Sequence, residues 1–180
     1  MNFLQRPEPS EYPAYYETYF KTLPEATDIF AELQQQVETL VKLFDNVEEF
    51  EAEKPYAEGK WSLKELLQHM LDTERIMAYR ALSFSRGEAA LLPGFEEDEY
   101  VKRSFANRRD LDDLLAEYQL QRQSTIALAK SFTPEMLLMK GNANGNESSV
   151  RALIWVIAAH ENHHLNIVRE RYLPVFTKAL

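Results

Sequence analysis

Ala152-Leu153-Ile154-Trp155-Val156-Ile157-Ala158-Ala159-His160-Glu161-Asn162-His163-His164 is the stretch on which the fold turns. From Ala152 to Ala159 every residue is apolar. That run is far short of the ~20 residues needed to cross a bilayer. It reads instead as a helix buried on most sides within a protein. It ends on paired histidines, an unusual finish for a core helix. Residues four apart on a helix are turned by only about 40°, so His160 and His164 share a face and can aim two imidazoles at one point. His163 is turned about 60° the other way from His160 and is the less natural partner. Two histidines inside a bundle need partners, and a metal ion would satisfy both. Imidazole suits zinc, nickel, copper and iron(II), and three imidazoles plus a water make an open, catalytic arrangement.

The chain holds four histidines, and the only one outside this cluster is His69. A lone histidine on a helix is ordinarily a hydrogen-bonded core residue, and histidine pairs four apart also arise by chance on surface helices. Two other patterns overlap the cluster. His160-Glu161-Asn162-His163-His164 matches H-E-x-x-H, the zinc-protease pattern in which Glu161 would be the general base. That setting normally includes a sheet, and no convincing strand is readable here. Glu161-Asn162-His163-His164 also matches the E-x-x-H of di-iron bundles, which needs a second copy that the chain lacks.

Outward from this stretch, the pattern predicts an all-α protein with four main helices. The last runs from Ser148 or Ser149 to about Tyr172, with Pro174 beyond it. The first runs from Thr22 into the forties, with Thr22 as cap, Pro24 in the first turn and Glu25 at the capping-box position. Its apolar stripe is Ile29, Phe30, Leu33, Val37, Leu40, Val41 and Phe44. The second runs from Ser62 to about Arg86: Ser62-Leu63-Lys64-Glu65 is a capping box, and Gly87 is a stop. The third runs from Asp110 to about Ser131, opening on carboxylates that suit the helix dipole. Thr133-Pro134-Glu135 reads as a short helical turn, and Gly141 to Asn146 as a loop. The long connection from Gly87 to Arg109 reads as a crossover, with a flap over a site as the alternative. The tyrosine-rich lead-in, residues 1–21, is expected to pack on the bundle through Tyr12, Tyr15, Tyr16 and Tyr19.

Composition narrows the function classes. The chain has 180 residues, which suits one domain, residues 1–180, burying roughly 70% of its unfolded surface. Its net charge of −9 argues against a nucleic-acid binder and against a polybasic membrane patch. With no cysteine, disulfides, thiolate ligands and a cysteine nucleophile are excluded. The opening MNFLQRPEPSEYP lacks the pattern of a signal peptide, so a cytoplasmic protein is expected.

The sequence also resembles a known family. Gly59-Lys60-Trp61-Ser62-Leu63-Lys64-Glu65-Leu66-Leu67-Gln68-His69, followed by Asp72-Thr73-Glu74-Arg75, resembles the second helix of DinB-like proteins. Pro93-Gly94-Phe95-Glu96-Glu97-Asp98 resembles their following loop, and Ser149-Val150-Arg151-Ala152-Leu153 leading to His160 and His164 resembles their last helix. The likeness covers about residues 25–173. It implies a four-helix bundle with a long connection between helices two and three. It also implies one divalent metal, zinc or nickel first and iron next, held by His69, His160 and His164. Members include metal-dependent hydrolases and transferases that use a low-molecular-weight thiol such as bacillithiol, mycothiol or glutathione. Homodimers are common among them.

The expected function is therefore a metal-dependent enzyme, a thiol-dependent S-transferase or a hydrolase, acting on a small molecule. The alternatives are a non-enzymatic metal-binding or stress-response protein and, last, an H-E-x-x-H protease. Glu65, Thr73 and Glu161 are candidates to orient the histidines or act as a base, with capping or core roles as the simpler reading. Arg75, Arg80 and Arg151 could meet an anionic substrate, but helix arginines ordinarily face water. No catalytic side chain beyond the ligands is named.

Overall fold

The computed structural model describes residues 4–176. In chain order it contains α1 (Glu17–Phe20), α2 (Ile29–Phe44), α3 (Glu49–Ala52), α4 (Leu63–Ser85), α5 (Glu97–Ser104), α6 (Leu111–Lys130) and α7 (Pro134–Leu138). A hairpin of β1 (Lys140–Ala143) and β2 (Asn146–Ser149) follows, then α8 (Val150–Ile167), a π-helical turn (Val168–Tyr172) and α9 (Leu173–Phe176). The long helices α2, α4, α6 and α8 form the expected four-helix bundle.

Side-chain bonds fix the helix directions. Arg109 meets Gln68, Arg75 meets Glu117 and Arg122 meets Glu74, so α4 and its neighbour α6 run parallel. Tyr172 bonds the carbonyl of Trp61 while His69 meets His160, so α4 and α8 run antiparallel. Helices α2 and α8 are the second parallel pair. Chain leaving α4 must therefore return along the whole bundle before α6 can start. The long connection is a crossover, and α5 is the helix it carries.

The core is divided. One apolar cluster joins Ile29, Leu33, Met77, Phe84 and Ala129 to the α8 run from Val150 to Ala159. The other joins Leu40, Phe44, Leu63, Leu67, Leu114 and Leu165. Between them lies a buried polar layer: the three histidines toward α1, and Arg122 with Glu74, Glu161, Tyr118 and Gln36 toward α2 and α6.

Most helix starts fall where the sequence placed them. Ser62 caps α4 and exchanges bonds with Glu65 at 3.1 and 2.8 Å. Ser149 caps α8, accepting from the Ala152 N–H at 3.1 Å. Three expectations are corrected. Helix α2 starts at Ile29, capped by Asp28, because the Asp28 carboxylate accepts from Phe30 and Ala31, whereas Thr22 spends its hydroxyl on the carbonyls of Tyr19 and Ala159. Gly141 to Asn146 is not a loop but most of a hairpin, turning on Asn144 and Gly145 with φ of 54° and 76°, the left-handed pair that a tight hairpin requires. Its strands are too short and polar to announce themselves, and Leu92 of the crossover pairs alongside Ala143. The last helical stretch does not end near Tyr172 but runs on through Phe176. Pro174 lies in the first turn of α9, just after the wide π turn, where its missing N–H is tolerated.

Candidate metal centre

His69 stands two turns into α4, and His160 and His164 stand on the facing side of antiparallel α8. All three are buried, at 3%, 6% and 8% exposure. The Nε2 atoms of His69 and His160 are 3.1 Å apart, and those of His164 and His160 are 3.0 Å apart. A ring nitrogen offers one in-plane site, either a lone pair or an N–H. His160 Nε2 therefore cannot hydrogen-bond both neighbours at once. Three ring nitrogens gathered this closely are a group that could hold a metal ion. Bonds of about 2.0–2.1 Å to a four- or six-coordinate ion imply donor separations of about 2.9–3.4 Å; the two separations from His160 fall in that range, and all three donor atoms lie within 4.8 Å of one another.

The electrostatics agree. Burial pushes the His69 imidazole down to about 4, with Asp98 opposing the shift. Burial, and then the neighbouring histidines, hold His160 and His164 well below the ordinary histidine range. All three are thus neutral at pH 7, the form a metal needs. Among the described residues no fourth His, Asp or Glu joins the group.

Aromatic side chains wall the cluster. Tyr19 meets His160 and His163 edge-on, each at 5.4 Å between centroids, and Trp61 lies 4.8 Å from His69. The lead-in is tied down beside them: Thr22 donates to the Ala159 carbonyl, and Asn162 donates to the Thr22 carbonyl. Tyr19 as a wall of the site was missed from sequence. Its signal was the spacing of Tyr12, Tyr16 and Tyr19, which puts three rings on one side of the lead-in.

Two cavities flank the histidines. One of about 320 Å³ lies against His164, lined by Trp61, Leu66, Ile167, Tyr172 and Asp98. One of about 110 Å³ lies against His160, lined by Tyr19, Thr73, Arg80, Phe95 and Glu97. Gly94, Phe95 and Asn144 separate the second from an open groove of about 1030 Å³ between α4 and α5. The crossover therefore does both things weighed for it: it returns the chain along the bundle and overhangs the site.

The remaining candidates are placed elsewhere. His163 stays outside the cluster. Glu65 is occupied by the Ser62 cap, and Thr73 Oγ1 is buried with no partner, so neither orients a histidine. Glu161 is 3% exposed and bound to Arg122 and Tyr118, the opposite of a free base beside a metal. The same bonds take it away from any di-iron arrangement. Arg75 pairs with Glu117 and Asp72, and Arg151 pairs with Glu11. No helix of the described residues is long and apolar enough to cross a membrane.

Comparison with known proteins gives the family and the fold. Residues 32–168 match the model of the DinB superfamily. A protein of Oceanobacillus iheyensis that carries the provisional name of metal-dependent hydrolase is 25% identical over 137 residues, spanning 73% of this chain and 78% of its own. Among solved structures, YfiT from Bacillus subtilis, described as a probable metal-dependent hydrolase with an unusual four-helix bundle topology, matches with a TM-score of 0.72. That match covers 99% of this chain and 98% of the other at 13% identity, a likeness of fold.

Proposed function

This chain belongs to the DinB superfamily, and from that premise we propose that it is a metal-dependent hydrolase of a small molecule, with His69, His160 and His164 holding one divalent ion. Zinc and nickel are the first candidates and iron(II) the next. The observation that carries the reading is the gathering of three buried imidazoles with no fourth His, Asp or Glu joining them among the described residues. A structural site would normally be closed by a fourth protein ligand. When bound, such an ion acidifies a water or thiol in its open position. The chain's own part is to keep the imidazoles neutral by burial, to hold them with Trp61 and Tyr19, and to exclude bulk water from one side.

Thiol transfer is the second reading. Its support is the cavity at His164, where the apolar faces of Trp61, Leu66 and Ile167 suit sulfur and Lys60 and Asp98 suit the polar part of a small thiol. With no cysteine in the chain, the thiol would come from a small co-substrate such as bacillithiol. We also carry a homodimer in this reading, which sedimentation would separate from a monomer.

Elemental analysis of the purified protein tests the site. About one ion per chain is expected in the wild type, with His69→Ala and His164→Ala each losing it. Hydrolysis of small esters and amides, assayed with and without chelator and then with added thiol, separates the two readings. A wild type that takes up no zinc, nickel or iron(II) would end both.

A further inference from the structure

One face of α4 carries more than a histidine. Thr73 follows His69 by one turn, and Arg80 follows Thr73 by two, roughly 10 Å along the axis. Helical side chains lean toward the N-terminus, so Arg80 reaches back toward Thr73. Both line the cavity of about 110 Å³ that His160 closes.

Both are also short of partners. Arg80 is 6% exposed, yet no carboxylate lies within ion-pair distance among the described residues. Its guanidinium gives one N–H to the Pro93 carbonyl at 2.9 Å and a second, weakly, to Met77 Sδ at 3.8 Å. Thr73 Oγ1 is buried and bonds nothing, not even the carbonyl one turn back that helical threonines commonly use. A buried cation without an anion is costly, and so is a buried hydroxyl without a partner. The other buried arginine, Arg122, meets two carboxylates. Of these two buried arginines, only Arg80 lines a cavity with no carboxylate paired to it among the described residues.

We propose that this cavity is a subsite for a carboxylate group of the substrate or co-substrate, bound by the guanidinium of Arg80 and the hydroxyl of Thr73 while the reacting end of the molecule sits at the histidines. The planar fork of arginine matches the two oxygens of a carboxylate. One cation serves one negative charge, and the exposed carboxylate of Glu97 at the mouth disfavours a second. A carboxylate is therefore preferred to a phosphate dianion. Gly94, Phe95 and Asn144 line both this cavity and the large groove, so they are the wall between the subsite and the open surface. The inference deepens the metal-enzyme reading and rests on it for what the carboxylate belongs to, but not for whether a carboxylate binds.

The test is an NMR titration of the whole chain, metal-loaded and chelator-treated, with propionate, propionamide and inorganic phosphate at matched ionic strength. Propionate is expected to bind at least tenfold tighter than propionamide and tighter than phosphate, with or without metal. Arg80→Met should weaken propionate at least tenfold, Arg80→Lys less, and Thr73→Val several-fold, with propionamide unchanged throughout. Equal binding of propionate and propionamide, equal affinity in wild type and Arg80→Met, or a preference for phosphate would overturn the subsite. Should Arg80→Met fail to fold, Arg80→Lys and the propionate–propionamide contrast decide. Metal uptake absent while propionate still binds through Arg80 would sink the metal-enzyme reading and leave the subsite standing.

Discussion

Replacing Arg122 by Met should be the most damaging single change to the fold. Arg122 is 1% exposed and reaches from α6 to each of the other long helices. Its Nε meets both Glu74 oxygens at 3.1 and 3.2 Å, its Nη2 meets Glu74 at 2.9 Å and also Glu161, and its Nη1 gives bonds to the Leu33 carbonyl and the Gln36 amide oxygen at 2.9 and 3.1 Å. Glu74 and Glu161 are 4% and 3% exposed, so neither can turn to water. Burial already raises the Glu161 carboxyl against the pull of Arg122. Breaking a buried ion pair from one side costs about 3–5 kcal/mol. With a urea slope of about 2–3 kcal/mol/M, the midpoint should fall by about 1–2 M. Removing a negative charge is the opposite case. Glu161→Gln leaves one cation facing one carboxylate; its amide oxygen can still accept from Arg122, but the Tyr118 hydroxyl loses its acceptor, and the change should cost about 1–2 kcal/mol, well below Arg122→Met. Urea unfolding of the two variants beside wild type checks the contrast. If Arg122→Met cost under about 1 kcal/mol, or if Glu161→Gln cost as much as Arg122→Met, the charge-balance argument would be wrong.

Further outcomes can be checked in the same way. Lys64 is 1% exposed, but its partners Glu49 and Glu53 remain half exposed, so Lys64→Met leaves carboxylates that can rehydrate and should cost less in a urea melt than Arg122→Met. The bond from Lys64 holds the Glu49 carboxyl below its ordinary range. That contribution is present above about pH 4.5 and is lost as pH falls through the lowered value, so Lys64→Met should flatten the acid limb of a stability–pH profile. Gly141→Ala should cost about 1–3 kcal/mol by thermal melt, because a methyl there would run into the buried Phe84 ring.

The long elements were legible because each carries its own punctuation. Ser62 with Glu65, Asp110 with its acidic first turn, and Ser149 before an all-apolar run mark helices that tertiary contacts only confirm. The histidine pair on α8 was legible from spacing, and His69 only through the family resemblance. What escaped was decided by partners far along the chain. Thr22 looked like a cap and instead binds Ala159, 137 residues away. The hairpin was read as a loop because no strands are recognisable beside Asn144-Gly145; they hold through Leu92 and the fit of Gly141 on Phe84, which no local window contains. Arg80 and Arg122 look alike in sequence, and only packing gives one its carboxylates and leaves the other without any.

The paired parallel helices have a cost in time. Helical bundles usually fold in microseconds to milliseconds because their contacts are local in sequence. Here α2 finds its neighbour α8 through contacts such as Gln36 to Ala158, 122 residues apart, and the chain between must be threaded out and back first. This bundle should therefore refold at the pace of a mixed α/β domain of its length. During synthesis, α6 can pack on α2 first, but the part of the α2 stripe that meets α8 stays uncovered until α8 has left the ribosome, and it is in that interval that a chaperone or a second nascent chain has its chance to bind.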